Sequence, residues 1–172
     1  MNFEYKNEES PKALTTAARI EGEKLAKKHF STLPIDVERL ITDFYGFTLR
    51  KLDLPENVSG RADLTSKEII VNTRNSFVHQ RFTMAHELGH IVLNHETRRW
   101  KEFGGATEST PDKPMEEEAN AFAAGLLIPS SLLKPLAMSK KTPKETAVLF
   151  QVSEHSMWIA YKTYKLDKHL YK

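Results

Sequence analysis

The 172-residue sequence contains no cysteine. This absence excludes a disulfide scaffold, a cysteine nucleophile and any metal site built on thiolates. The chain also carries little net charge, because 25 Lys and Arg are balanced by 23 Asp and Glu to leave +2. So close a balance does not indicate a surface for nucleic acid or membranes.

Long hydrophobic runs are missing as well. The longest, Ala119 to Pro129, is interrupted by Asn120 and Gly125 and is too short to span a bilayer. The first ten residues carry acids and no apolar core, unlike a signal peptide. We therefore expect a cytoplasmic protein that does not enter membranes. Its 40% hydrophobic and 28% charged residues are typical of an ordinary soluble fold.

The apolar periodicity predicts an α+β fold. Helical spacing covers Pro11–Phe30 and resumes after Asp36, a candidate N-cap, with Leu40, Ile41 and Phe44 on the inner side. A period of two then predicts three short strands, the last two forming a hairpin. These strands contain Phe47 and Leu49, Val58–Leu64, and Glu68–Asn72.

Helical character returns over Ser76–His95, where apolar residues lie almost all round, as in a buried central helix. Residues 96–113 are predicted to form a loop, either a lid over a cleft or a disordered connection. Further helices are predicted from Pro114 to Ile128, in a short turn to Ala137, and in a pair at the C-terminal end. That pair begins at the capping box of Thr142 and Glu145 and ends near Leu166.

The central helix contains the motif His86-Glu87-Leu88-Gly89-His90. Residues four apart lie on one face of a helix, so both imidazoles can reach one cation and Glu87 lies beside it. The alternative is two core histidines, but two histidines and a glutamate in an apolar helix are costly without a partner.

Three acids, Glu116 to Glu118, begin the next predicted helix. Projected at about 100° per residue, Glu116 lies nearest the apolar side and is the expected third ligand, with Asn120 one turn later to orient a ligand. The other two suit the positive end of the helix dipole. A His-His-Glu set with an open position is the arrangement of a catalytic zinc, although other divalent metals also accept it.

These motifs, together with Arg81–Ala85, Phe122-Ala123 and Leu126–Pro129, resemble those of the ImmA/IrrE metallopeptidases. The resemblance covers about residues 13–166. It implies that His86, His90 and Glu116 bind one zinc and that Glu87 is the general base. It further implies an intracellular endopeptidase that cleaves a specific regulator, often a phage or mobile-element repressor of the helix-turn-helix class.

The expected organisation is therefore a small three-stranded sheet packed on a buried HExxH helix and surrounded by helices. Residues 1–12 form a flexible N-terminus, 13–138 a zincin-like core, and 139–172 a helical extension packed on it. The family's extra regulatory domains are not expected in so short a chain.

Two features leave alternatives open. The strand Val58–Leu64 either binds an extended substrate at its edge, through Ser59, Gly60 and Arg61, or is a plain structural hairpin. The C-terminal helix pair has the outline of a helix-turn-helix, but its second helix offers no arginine to read guanine. Specific DNA binding is therefore not expected. The remaining alternative is a regulator that uses a non-catalytic metal site to bind protein.

Overall fold

The computed structural model describes residues 13–95 and 113–170. The N-terminus expected to be flexible (residues 1–12) and most of the predicted lid or connection (residues 96–112) lie outside these ranges. Within them the fold is α+β, as predicted, with a three-stranded sheet and seven α-helices.

The first two helices follow the predicted pattern except at one aromatic residue. Helix α1 spans Thr15–His29, and α2 spans Val37–Arg39 and continues as a π-helical turn, Leu40–Phe44. Asp36 caps α2 by accepting a hydrogen bond from the Arg39 amide at 3.0 Å. Phe44 was expected on the inner side but is 46% exposed. The wider π turn adds a residue to the helix period and rotates Phe44 away from the core.

The sheet consists of β1 (Thr48–Leu52), β2 (Gly60–Asp63) and β3 (Glu68–Asn72). The predicted hairpin is confirmed, since β2 pairs antiparallel with β3. Strand β1 pairs with the other side of β3 in parallel, which gives the order β1-β3-β2. Within residues 13–95 and 113–170 no strand pairs with the other long side of β2, which is therefore an open edge.

A buried amide fixes the loop that leads into this edge strand. The Asn72 side chain donates to the carbonyl oxygens of Leu54, Pro55 and Val58, the last at 2.7 Å. Its carbonyl oxygen accepts from the amide of Leu54 at 3.2 Å. Because this loop would otherwise leave polar backbone groups unpaired, Asn72 sets where β2 begins.

The predicted central helix is α3, Phe77–Val92, which Ser76 caps. It packs against α4, Lys113–Leu127, and against the sheet. Gly89 permits the close approach to α4, because a Cβ there would lie 3.0 Å from a Phe122 ring carbon and 3.3 Å from the Ala119 backbone.

The C-terminal helices contribute to the same hydrophobic core. They are α5 (Ser130–Met138), α6 (Pro143–Phe150) and α7 (Glu154–Thr163), and a 3-10 turn, Asp167–His169, follows. The predicted capping box is present at the start of α6. Phe150, Met157 and Tyr161 are fully buried in the core.

No single helix among the described residues is long and apolar enough to cross a membrane. Helices α4 and α5 are long and apolar enough only when they are taken together, by length and composition alone, and they are bent by 56° at their junction.

The crossing of α1 and α4 depends on glycine. A Cβ at Gly125 would lie 2.2 Å from the Arg19 carbonyl oxygen, a backbone atom that cannot rotate away. We expect Gly125→Ala to destabilise the protein by about 1–3 kcal/mol, because the overlap outweighs alanine's better helix propensity. Equilibrium denaturation measures this, with the exposed Thr16→Ala as control. A Gly125→Ala variant as stable as the parent would contradict so close a crossing.

Candidate metal centre

Helices α3 and α4 bring three potential ligands together. His86 Nε2 and His90 Nε2 lie 3.0 Å apart. Glu116 on α4 places one carboxylate oxygen 3.2 Å from His86 Nε2 and the other 3.3 Å from His90 Nε2. Such a convergence of His86, His90 and Glu116 is what a metal ion requires, and it joins the three residues that the sequence singled out.

The spacing of these atoms fits a tetrahedral ion. Zinc binds nitrogen and carboxylate oxygen at about 2.0–2.2 Å, so tetrahedral ligands lie about 3.3 Å from one another. The separations of 3.0–3.3 Å are close to that value. Two imidazoles and one carboxylate also leave a fourth position for water or substrate, as in catalytic rather than structural sites.

The other nitrogen of each histidine has a polar partner. His86 Nδ1 lies 3.0 Å from Asn120 Oδ1, so the amide oxygen accepts the imidazole N–H. Asn120 therefore lies where the orienting role predicted for it would place it. His90 Nδ1 lies 2.8 Å from Nδ1 of His95. In metal sites such outer hydrogen bonds fix the tautomer and leave the opposite nitrogen free to bind the ion.

The short distances between these side chains shift the pKa values of two potential ligands, Glu116 and His86. Hydrogen bonds from His86 and His90 hold the pKa of Glu116 well below its usual range. Burial alone would lower the pKa of His86, but the hydrogen bond with Glu116 and the charge of Glu87 outweigh it and raise that pKa. Glu116 is therefore the ionised carboxylate that a divalent ion needs.

Glu87 lies beside the three potential ligands but is not one of the residues whose ligand atoms converge. Burial raises the pKa of its carboxyl group, and the neighbouring His86 and His90 partly oppose this rise. The backbone amide of Ala62 on β2 also interacts with the carboxylate. A raised pKa brings a carboxylate nearer to the range in which it can both take and return a proton at neutral pH.

A cleft of about 350 Å³ opens in front of these groups. Its walls come from α3, α4 and the open edge of β2. From β2 come Gly60, Arg61 and Ala62, and Leu64 follows them. Of the three substrate-binding residues predicted here, Gly60 and Arg61 line the cleft, whereas Ser59 is not among the described lining residues. The Ser59 hydroxyl instead lies 3.2 Å from His79 Nε2.

Gly60 is required where β2 approaches α3. A Cβ there would lie 2.6 Å from the Ile70 carbonyl oxygen and 2.6 Å from the Thr83 methyl group. Any larger residue would push the edge strand away from the helix that carries His86 and Glu87. The glycine therefore keeps the strand edge and the potential ligands in one cleft.

The structure corrects the role expected for Glu118. It was assigned to the exposed, dipole-facing side of the helix, but it is only 4% exposed. One of its oxygens lies 3.2 Å from His95 Nε2, and the other accepts from the Leu14 amide at 2.8 Å. The sequence held the signal, because Glu118 stands at helical spacing within the buried series Met115, Ala119, Phe122 and Leu126.

A second, more apolar groove of about 830 Å³ adjoins the centre. It is bounded by α1, α3, α4 and the beginning of α7, and it shares Asn120 with the His86 hydrogen bond. Phe82 lines it and lies one turn before His86, with ring centroids 6.3 Å apart. The groove offers space for parts of a polypeptide beyond the residues at the metal site.

Comparison with known proteins bears on the fold and on the family of the chain. No curated protein matches the chain. A solved structure, described as a Mycobacterium tuberculosis transcriptional regulator, matches with a TM-score of 0.64 and 18% identity. The match covers 83% of this chain and 45% of that one, so the chain spans less than half of that regulator. At this identity the match shows a shared fold.

A family model is more specific. The model of the IrrE N-terminal-like domain, Peptidase_M78, matches residues 43–158, which include the HExxH motif, Glu116 and Asn120. The resemblance found in the sequence motifs is thereby confirmed, and the chain belongs to the IrrE N-terminal-like domain family of metallopeptidases.

Proposed function

We propose that the protein is a zinc-dependent endopeptidase that cleaves a specific intracellular regulator. The observation that carries this proposal is the convergence of His86, His90 and Glu116 beside a carboxylate, Glu87, that does not join them. A purely structural metal site would have no use for a half-buried acid next to its open position.

Each residue of the candidate site has its own role in the proposed reaction. A divalent ion held by His86, His90 and Glu116 would acidify a water molecule and polarise the scissile carbonyl. Glu87 would take the proton from that water as it attacks, and would return it to the amine that leaves when the C–N bond breaks. Asn120 would keep His86 in the tautomer that binds the ion.

The edge of β2 offers a way to hold an extended substrate. The Asn72 amide donates to the Ser59 carbonyl at 2.9 Å. Hydrogen-bonded and non-hydrogen-bonded residues alternate along an antiparallel pair, so Arg61 and Asp63 also form backbone hydrogen bonds with β3. The N–H and C=O groups of Gly60 and Ala62 therefore point away from β3. We expect a substrate strand to pair with Gly60 and with the Ala62 carbonyl group, beside the Ala62 amide that interacts with Glu87, and so to cross the cleft.

For the substrate we propose a helix-turn-helix repressor, the class that the family resemblance implies. The test is to incubate the zinc-loaded protein with the repressor encoded beside it, and to follow the mixture by gel and mass spectrometry. One discrete cut that a chelator abolishes and added zinc restores is expected. Failure to cut any such repressor, with zinc bound, would reject this substrate class.

The alternative of DNA binding finds little support in the last helices. The start of α7, where a recognition helix would meet base edges, exposes the acid Glu154. Met157 and Tyr161 are buried in the core rather than available to DNA. We therefore expect weak binding of duplex DNA, without sequence preference and lost steeply as salt rises. A footprint that survives physiological salt would favour the DNA-binding function instead.

A further inference from the structure

We propose that His95, held by Glu118, is a positioning residue that sets the orientation and tautomer of the ligand His90. This inference rests on the metal site of the proposed function. Both side chains are almost completely buried, at 2% and 4% exposure. His95 follows α3, and Glu118 belongs to α4, so the pair braces His90 from two parts of the chain.

The direction of both hydrogen bonds in the series Glu118–His95–His90 follows from the carboxylate at its first end. A carboxylate only accepts, so His95 Nε2, 3.2 Å from Glu118, must donate. In a neutral imidazole the other nitrogen is then an acceptor, so His95 Nδ1 accepts from His90 Nδ1 at 2.8 Å. His90 is left with a lone pair on Nε2, the atom that faces His86 and Glu116.

The arrangement gives each ligating histidine its own support. His86 is oriented from one side by the amide of Asn120, and His90 from the other side by the imidazole of His95. In both cases Nδ1 donates and Nε2 is left for the ion. Outer partners of this kind typically change metal affinity by about 10–100-fold when they are removed.

Glu118 also connects the hydrogen-bonded series Glu118–His95–His90 to the beginning of α1. Its second oxygen accepts from the Leu14 amide at 2.8 Å, one residue before that helix begins. A carboxylate that accepts on both oxygens is held in place, and it in turn holds His95. This double contact explains why a glutamate occupies the buried face of α4, where a leucine would otherwise pack.

The test compares two replacements of His95 by their zinc affinity, measured by competition with a chromophoric chelator. His95→Phe keeps a flat ring but cannot accept from His90, and we expect zinc to bind about 10–100-fold more weakly. His95→Gln keeps one acceptor and one donor, and we expect it to restore most of the affinity. The visible spectrum of bound cobalt should change in His95→Phe and resemble the parent's in His95→Gln.

A matched control separates positioning from general destabilisation. Val152→Ala removes buried volume at a residue that lines the adjoining groove but not the cleft of the potential ligands, and it is expected to lower the unfolding temperature without changing zinc affinity. If His95→Phe, while folded, binds zinc as tightly as the parent, the positioning role is wrong. An equal loss of affinity in Val152→Ala would also overturn it. Failure of the parent itself to bind zinc would instead reject the proposed function together with this inference.

Discussion

Glu87→Gln should retain the metal and the fold but cleave its substrate about 10²–10⁴ times more slowly, the range for a lost general base. Glutamine has nearly the same shape as glutamate, but it cannot accept the proton of the attacking water. Glu87 is not among the residues whose ligand atoms converge, which are His86, His90 and Glu116. Zinc content should therefore stay at about one per chain. Cleavage rates under single-turnover conditions, together with elemental analysis, measure both quantities.

The matched control for this variant is Glu56→Gln in the loop before β2. Glu56 is exposed and lines neither the cleft nor the groove, so this variant makes the same change of charge without touching the proposed proton path, and it should cleave like the parent. Proteolysis by Glu87→Gln at the parental rate would refute the mechanism. If neither the parent nor Glu87→Gln cuts the regulator but both bind it, the non-catalytic binding module is the better description.

The sequence predicted which potential ligands would converge because a helix repeats in a known way. His86 and His90 had to share a face, whatever the rest of the fold, and Glu116 pointed inward on the next helix. The support of His90 could not be found in the same manner. His95 ends the segment predicted as helical, and its contact with Glu118 joins residues 23 positions apart in the chain, a separation that no helical repeat covers.

Glu118 shows a different limit. It lies at helical spacing beside the apolar residues, but the projection placed Glu116 nearer the apolar side, so only Glu116 was expected to point inward. Burial of a carboxylate depends on partners, here His95 and the Leu14 amide, and partners are a property of the tertiary structure. The buried acid was therefore assigned to the dipole of its helix.

The fold was predictable to the extent that it is local. The alternation of apolar and polar residues, and the polar turn between the two segments, identified β2 and β3 as a hairpin. The parallel pairing of β1 with β3 depends on a crossover connection that the sequence pattern does not specify. The outward rotation of Phe44 depends on one extra residue in a helical turn. Such a change is decided by packing against neighbouring elements rather than by intrinsic propensity.

Replacing a ligand should have a larger effect on metal binding than any change around it. We expect His90→Ala to lose zinc on dialysis and to lose cleavage with it, because Glu116 and His86 alone give two of the three protein ligands that a catalytic site needs. His79→Ala is the matched control, since its imidazole contacts Ser59 rather than a ligand. Zinc content after dialysis distinguishes the two.

Thermal unfolding with and without zinc gives an independent measurement of the same loss. An ion that binds only the folded chain stabilises it by about 2.7 kcal/mol when its free concentration is 100 times its Kd. The parent and His79→Ala should therefore unfold at a higher temperature with zinc, and His90→Ala should not respond. If His90→Ala keeps one zinc per chain and the same thermal response, these residues do not form the site, and the mechanism built on it fails.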